Sequence, residues 1–156
     1  MRVNNKLTIF IFGLLFLLAA CSEEETFSEF RSFPNAEWDK QEAIRFEVPV
    51  HDISTPYNVL LELRNNNNYP FRNIWLFIDY KTPSGSMRSD TLTTDLADIY
   101  GKWYGTGMSL YAYSFPYQVN VQYPDTGIYV YTIRQGMREN ILKGISDIGL
   151  TVSGVK

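Results

Sequence analysis

The sequence predicts an all-β, mainly antiparallel protein: a two-sheet β-sandwich of about seven to eight strands with one short helix near the C-terminus. Aromatic residues make up 15% of the 156 residues and charged residues only 20%, which is typical of a β-rich globular domain and disfavours disorder or a coiled coil. Short apolar runs alternate with polar residues at strand spacing. Turn-forming residues separate these runs at short intervals, as they do in antiparallel sandwiches.

Eight segments have the pattern of strands. In 42–50, apolar and charged residues alternate, and Pro49 marks an edge or a bulge. Segment 71–81 is continuously apolar over 74–78, so we expect a central strand that is covered on both sides. The remaining strand segments are 57–64, 87–93, 108–113, 115–123, 127–135 and 148–155.

Three segments depart from the strand pattern. The asparagine-rich residues 64–70 predict a chain reversal. Residues 95–107 contain several glycines and predict a structured loop. Residues 137–145 place apolar side chains at i, i+4 and i+8, and this spacing predicts the short helix.

The N-terminus has the features of an export signal. A short basic segment, 1–6, precedes an apolar run over 7–18. As a helix this run would rise about 18 Å, which is short of the roughly 30 Å hydrocarbon core of a bilayer. We therefore predict that residues 1–20 are a lipoprotein signal peptide that is removed.

Cys21 is the chain's only cysteine, and it directly follows Leu18-Ala19-Ala20, the pattern of a bacterial lipoprotein processing site. Its thiol can take a diacylglyceryl group, and the α-amine freed by cleavage can take an acyl chain such as palmitate. Each buried CH₂ contributes about 0.8 kcal/mol, so two or three chains anchor a protein firmly to the membrane. The alternatives are an ordinary secretory signal and a buried reduced cysteine; we predict lipidation at Cys21.

The residues after Cys21 predict a solvated tether. Three consecutive glutamates follow Ser22 without any lysine, and such a segment is too polar to pack. We divide the mature chain into the acylated cysteine and tether, 21–30, and a single sandwich domain, 31–156. The acidic run resembles a sorting signal for the outer face of the outer membrane, and it is equally compatible with a plain spacer. We expect the protein to lie in the outer membrane, and we leave open which leaflet holds it.

Charge and histidine content argue against several classes of function. The net charge is −3 for the whole chain and −5 without Arg2 and Lys6, which argues against a nucleic-acid ligand. His51 is the only histidine, and the His51-Asp52 pair lacks the context of any hydrolase or metal motif. We therefore expect a non-enzymatic protein without metal or cofactor.

Four aspartates, Asp79, Asp90, Asp95 and Asp98, lie loosely clustered in the sequence. Converging carboxylates can bind calcium or act as a glycosidase pair. Their spacing matches no defined calcium loop. We favour roles in turns, at a cap and on a solvated face.

The glycine-containing loop carries large flat side chains at Tyr100, Trp103 and Tyr104. Such side chains can plug the open end of a sandwich, anchor a protein partner or stack on sugar rings. We take all three as candidate contacts for a partner or a glycan. Asp98 and Arg138 are the candidate polar neighbours.

Several stretches of the mature chain, together with the cysteine at its start, resemble the gliding motility-associated lipoprotein GldH family of the Bacteroidota. The combination is far more specific than any single stretch. The stretches are 64–65, 69–76, 90–92, 96–98, 101–105, 127–129, 135–138 and 144–150.

The resemblance implies a cell-envelope lipoprotein needed for surface gliding, which acts beside other lipoproteins of the motility apparatus and is linked to type IX secretion. It brings no catalytic residues. We expect the membrane, through acyl chains on Cys21, and other envelope proteins as partners. The alternative is a lipoprotein that binds peptidoglycan or a surface polysaccharide.

Overall fold

The computed structural model describes residues 26–155, and this part of the chain forms ten β-strands. The predicted leader, Cys21 and residues 22–25 lie outside the described residues. The strands are β1 (Thr26–Ser32), β2 (Glu37–Asp39), β3 (Ile44–Val50), β4 (Tyr57–Asn66), β5 (Asn73–Lys81), β6 (Met87–Asp95), β7 (Leu110–Val121), β8 (Gly127–Gln135), β9 (Ile141–Lys143) and β10 (Ile145–Gly154).

The strands form three antiparallel sheets. The first sheet has the order β1-β10-β4-β7, the second has the order β3-β8-β5-β6, and β2 pairs with β9 in a small ribbon. The all-β antiparallel class is confirmed. The third sheet and the larger number of strands differ from the predicted two-sheet sandwich, because three-residue strands show too little alternation to be recognised from sequence.

The strand limits differ from the prediction at two places. Segments 108–113 and 115–123 form one strand, since Ser114 continues the ladder opposite Glu62 and donates a 3.1 Å hydrogen bond to its carboxylate. Residues 26–30, which the sequence assigns to the tether, are the first part of β1 and pair with β10. Phe27 packs against the core there.

The short helix predicted at 137–145 was wrong, and no α-helix occurs within residues 26–155. Ile141 is exposed while Leu142 is fully buried, which is the alternation of a strand. Gly144 follows in a left-handed conformation with φ +86°, where a Cβ would collide with the backbone of Tyr69. The pairing partner of β9 is β2, distant in sequence, so local periodicity does not reveal it.

The buried faces of the two large sheets form one hydrophobic core. Along β4 and β8, every second side chain points inward, as expected for strands with one solvated face. The buried members from these two strands include Val59, Leu61, Leu63, Tyr129, Tyr131 and Ile133.

A hydrogen bond of 2.7 Å joins the buried hydroxyls of Tyr123 and Tyr131 in this core. Burial raises the pKa of Tyr123 to about 12 and also raises the pKa of Tyr131. Both phenols therefore stay protonated at neutral pH, and each buried hydroxyl has a partner.

β5 lies inside the second sheet, but the prediction that both of its faces are covered was wrong. Ile74, Leu76 and Ile78 face the core, whereas Trp75 and Phe77 on the other face are 43% and 41% exposed. The first sheet covers one side of β5, and within residues 26–155 no third layer lies on the other. The apolar run in the sequence therefore marks an exposed aromatic surface.

Strand register defines two ends of the domain. Thr26 and Asn58 both lie opposite Ser153, so the described chain begins at the end where β4 starts. The loops 51–56 and 122–126 are short and connect the two large sheets at this end, which we call the base. The opposite end, the tip, carries residues 67–72, 96–109 and 136–140. β4 spans the two ends over about 30 Å.

In residues 26–155, the structure contains no helix with the length and hydrophobicity needed to cross a membrane.

Candidate functional site

The candidate site is the tip loop, residues 96–109, which contains four of the five predicted contact residues. Asp98 builds the first turn of this loop. Its carboxylate accepts hydrogen bonds from the backbone N–H groups of Tyr100 at 2.8 Å and Lys102 at 3.0 Å. Asp98 also donates its own N–H to the Lys102 carbonyl at 3.0 Å. Its observed contacts are therefore those of an aspartate that shapes a turn.

Within the tip loop, Trp103 packs against neighbouring segments and supports the other loop residues. Its ring lies 6.2 Å from that of Tyr69 and 5.8 Å from that of Tyr111, measured between centroids. Its indole N–H donates to the side-chain oxygen of Asn67 at 3.2 Å. The ring is half-buried, so it joins the loop to the end of β4 and the start of β7.

The backbone of the tip loop is fixed at both ends. The N–H groups of Leu96 and Ala97 both donate to the Arg72 carbonyl, at 2.7 and 3.1 Å. Thr106 and Ala112 exchange two backbone hydrogen bonds near the other end. Gly107 has φ +147°, and a Cβ there would collide with the Leu110 carbonyl. These contacts define the conformation of the loop.

This ordered loop displays large apolar side chains to solvent. Tyr100 is 89% exposed, Met108 92% and Tyr104 55%, and Ile99 and Leu110 are also exposed. Large apolar side chains exposed together on one loop often mark an interaction surface. The sequence singled out Tyr100 and Tyr104 but missed Ile99 and Met108, for which apolar side chains in a polar, glycine-rich loop were the available signal. It also missed Leu110, which begins β7.

Arg138, the fifth predicted residue, lies apart from the tip loop. It lines a groove on the outer face of the second sheet, together with Trp75 and Phe77. Met137 also lines the groove, and its sulfur accepts a 3.4 Å hydrogen bond from the Trp75 backbone N–H. Arg138 forms no ion pair with any residue in the described range. We call this surface the aromatic groove.

The aspartates that could have formed a catalytic or metal site have other partners. Asp79 accepts hydrogen bonds from Arg134 and Ser89, both at 2.6 Å. Asp90 accepts one from the Tyr117 hydroxyl at 2.6 Å, and burial together with this bond raises the pKa of Tyr117. Over residues 26–155, the structure contains no group of three or more His, Cys, Asp and Glu that could hold a metal ion.

Asp52 is held in a turn of its own at the base, beside exposed His51. Its carboxylate accepts hydrogen bonds from the backbone N–H of Ser54 at 2.8 Å and from the Ser54 hydroxyl at 2.6 Å. Hydrogen bonds from the side chains of Ser54 and Thr55 lower the pKa of Asp52 to about 2. The carboxylate of Asp52 therefore stabilises the turn in loop 51–56.

Comparison with known proteins gives one consistent result. A family model described as GldH lipoprotein matches residues 25–152. The "Gliding motility lipoprotein GldH homolog" of Christiangramia forsetii is 32% identical, with 97% of each chain covered. The "Gliding motility lipoprotein GldH" of Flavobacterium johnsoniae is also 32% identical, with 97% of this chain and 98% of the relative covered. On its match to the family model and on these relatives, the chain belongs to the GldH lipoprotein family.

Proposed function

We propose that this chain supports gliding motility as a lipid-anchored protein of the cell envelope, and that its tip loop binds another envelope protein. The names of its relatives support the motility role. We place it in the outer membrane, beside other lipoproteins of the motility apparatus and the associated type IX secretion system. In this role the protein is a binding module and not an enzyme.

One observation carries the protein-binding proposal: an ordered loop holds Tyr100, Tyr104 and Met108 in solvent. Aromatic side chains dominate the energetics of many protein interfaces. Because hydrogen bonds already fix this loop, binding costs less conformational entropy than it would for a flexible segment. The tip loop therefore has the features of a preformed interface.

The position of the tip fits a membrane-anchored protein. The described chain begins at Thr26 in the base, and the tip loop lies at the opposite end of β4. An anchor at Cys21 holds the base towards the bilayer and leaves the tip about 30 Å further out. Confinement to the membrane raises the effective concentration of neighbouring envelope proteins, so a modest interface suffices.

Cys21→Ser tests the anchor. We expect this variant to leave the membrane fraction and to abolish gliding, because no acyl chains remain to hold the domain. Cell fractionation and colony spreading are the measurements, with Ser22→Ala as the matched control. A soluble Cys21→Ser protein that restores full gliding would contradict the anchoring proposal.

The aromatic groove supports glycan binding as a second candidate function. Trp75 and Phe77 lie exposed beside Asn73, Arg138 and Glu139, and sugar recognition combines flat apolar rings with polar groups. Binding of wall glycans to the wild-type protein, with weaker binding by Trp75→Ala, is the result expected for this function. No binding by the wild-type protein removes it.

A further inference from the structure

The base carries exposed aliphatic side chains that the proposed tip interface does not use. Met87 is 68% exposed and Val119 66%, and Ile53 and Ile128 are exposed as well. Met87 begins β6, Ile128 is the second residue of β8, Val119 lies two residues before the end of β7, and Ile53 lies in loop 51–56. We call these four residues the basal aliphatic set.

Loop 51–56 displays Ile53 in a fixed position. The Asp52 carboxylate holds the turn through Ser54, and the Tyr57 hydroxyl donates to the Asp52 carbonyl at 2.8 Å. The side-chain amide of Gln122 donates to the Ile53 carbonyl at 3.0 Å. The exposed Ile53 side chain is therefore part of an ordered surface.

Met87 and Ile128 line one shallow groove beside the 82–86 turn, together with the charged residues Arg45, Glu47, Asp79 and Lys81. The turn packs tightly there, because a Cβ at Gly127 would lie 3.0 Å from the Pro83 ring. Apolar side chains thus occur at the base ends of three strands and in the connecting loop. They are spread around the end of the domain instead of lining one closed pocket, and charged residues lie beside two of them. This mixture suits the interface of a bilayer, where headgroups and acyl chains meet.

The position of the first described residue indicates what the base faces. Thr26 lies at the base, and five peptide units separate it from Cys21. At about 3.6 Å per residue these units reach at most roughly 18 Å. Acyl chains on Cys21 therefore hold the base close to the membrane surface, at a high local concentration of lipid.

We propose that the base is a membrane-contact surface, on which the basal aliphatic set inserts into the interface of the bilayer that holds Cys21. This inference rests on the lipid anchor in the proposed function. Apolar side chains at such an interface lie about 5–10 Å deep, at the boundary of headgroups and acyl chains. The contact orients the domain upright, with the tip loop pointing away from the lipid.

Site-specific fluorescence quenching tests the contact on the intact lipoprotein. Cys21 is the only cysteine and is acylated in the proposal, so Ile53→Cys, Ile128→Cys and Met108→Cys each add one free thiol for a fluorophore. The labelled proteins are reconstituted in phosphatidylethanolamine and phosphatidylglycerol vesicles, with and without brominated acyl chains. We expect loss of emission at positions 53 and 128 and unchanged emission at position 108 in the brominated vesicles.

A charged variant sharpens this test. Ile53→Asp combined with Met87→Asp, with the label at Ile128→Cys, should remove the quenching while the protein still floats with the vesicles. Both positions are exposed, so the thermal unfolding midpoint should not change. Equal quenching at positions 53 and 108 in floating protein overturns the membrane contact. Failure of the intact lipoprotein to float overturns the anchor itself, and with it this inference.

Discussion

The tip and the base use the same turn chemistry to display different side chains. At the tip, the Asp98 carboxylate accepts a hydrogen bond from the backbone N–H of Tyr100. At the base, the Asp52 carboxylate accepts one from the backbone N–H of Ser54, and both distances are 2.8 Å. The tip presents Tyr100 and Tyr104 beside Ile99 and Met108. The exposed large apolar side chains described at the base are Ile53, Met87, Val119 and Ile128, none of which is aromatic. Aromatic side chains suit protein interfaces, and aliphatic ones suit lipid. The comparison teaches that similar turns can display different classes of side chain at the two ends of one domain.

The two ends also differ in how they are supported. Trp103 lies beneath the tip loop, in contact with Tyr69 and Tyr111. The loop at the base is only six residues long and is held by hydrogen bonds of Asp52, Tyr57 and Gln122. The long loop needs a hydrophobic support of its own, and the short one does not.

The largest expected effect is on gliding, and it distinguishes the function of the tip from that of the base. Tyr100→Ala combined with Met108→Ser removes the most exposed apolar side chains of the tip, and we expect loss of gliding with normal membrane attachment. Ile141→Ser is the control, an exposed apolar residue of β9 outside both the tip loop and the basal aliphatic set, and should leave gliding intact. Colony spreading and membrane fractionation measure both variants. Normal gliding of the tip variant would remove the tip loop as an interface.

Trp103→Ala and Tyr100→Ala together distinguish a side chain that stabilises the tip loop from one that is only exposed on it. Loss of the half-buried indole should lower the free energy of unfolding by about 2 kcal/mol, since it leaves space between two rings and an unpaired Asn67. Tyr100→Ala should change it by less than about 0.5 kcal/mol, as expected for an exposed side chain. Urea unfolding measures both. Equal effects of the two substitutions would show that Trp103 does not support the loop.

Asp98→Ala should have an intermediate effect. It removes the acceptor of two backbone hydrogen bonds, which should cost about 1 kcal/mol and speed hydrogen exchange of the N–H groups of Tyr100 and Lys102. Asp98→Asn keeps one oxygen acceptor and should lie between the wild type and Asp98→Ala. Exchange rates that match the wild type in both variants would contradict the role of Asp98 in the turn.

The smallest effect is a pH response at the base. The folded pKa of Asp52, about 2, lies below its ordinary value of 3.8, so its carboxylate favours the ordered loop at neutral pH. That contribution is complete above about pH 4 and is lost as the pH falls towards 2. NMR shifts of Ser54 should follow this titration in the wild type and stay constant in Asp52→Asn. A midpoint near 4 would show that the hydrogen bonds to Asp52 are weak.

Alternation along the chain predicted the long strands well. Ile44, Phe46 and Val48 in β3 are buried at every second position, as their spacing indicates, and Pro49 lies on an edge strand. Their place in a glycine-containing loop singled out Tyr100 and Tyr104, and both side chains are exposed. Such local signals need only neighbouring residues, which a single sequence supplies.

The features that the sequence did not predict depend on contacts between residues far apart in the chain. The ribbon of β2 and β9 forms between segments far apart in the chain, and Met137 and Ile141 imitate helical spacing in its neighbourhood. Trp75 and Phe77 resembled core residues because an apolar run does not say how many layers cover a sheet. Met108 gave only a weak signal, as an apolar side chain in a glycine-rich loop, because its exposure follows from the packing of the whole tip loop.

Photocrosslinking in living cells tests the central claim most directly. A photoreactive amino acid placed at Tyr100 in the intact lipoprotein should give a protein adduct that survives muramidase treatment, and the same group at Met87 should not give that adduct. Crosslinks of equal yield from both positions, or a tip adduct that muramidase removes, would contradict a protein partner bound at the tip.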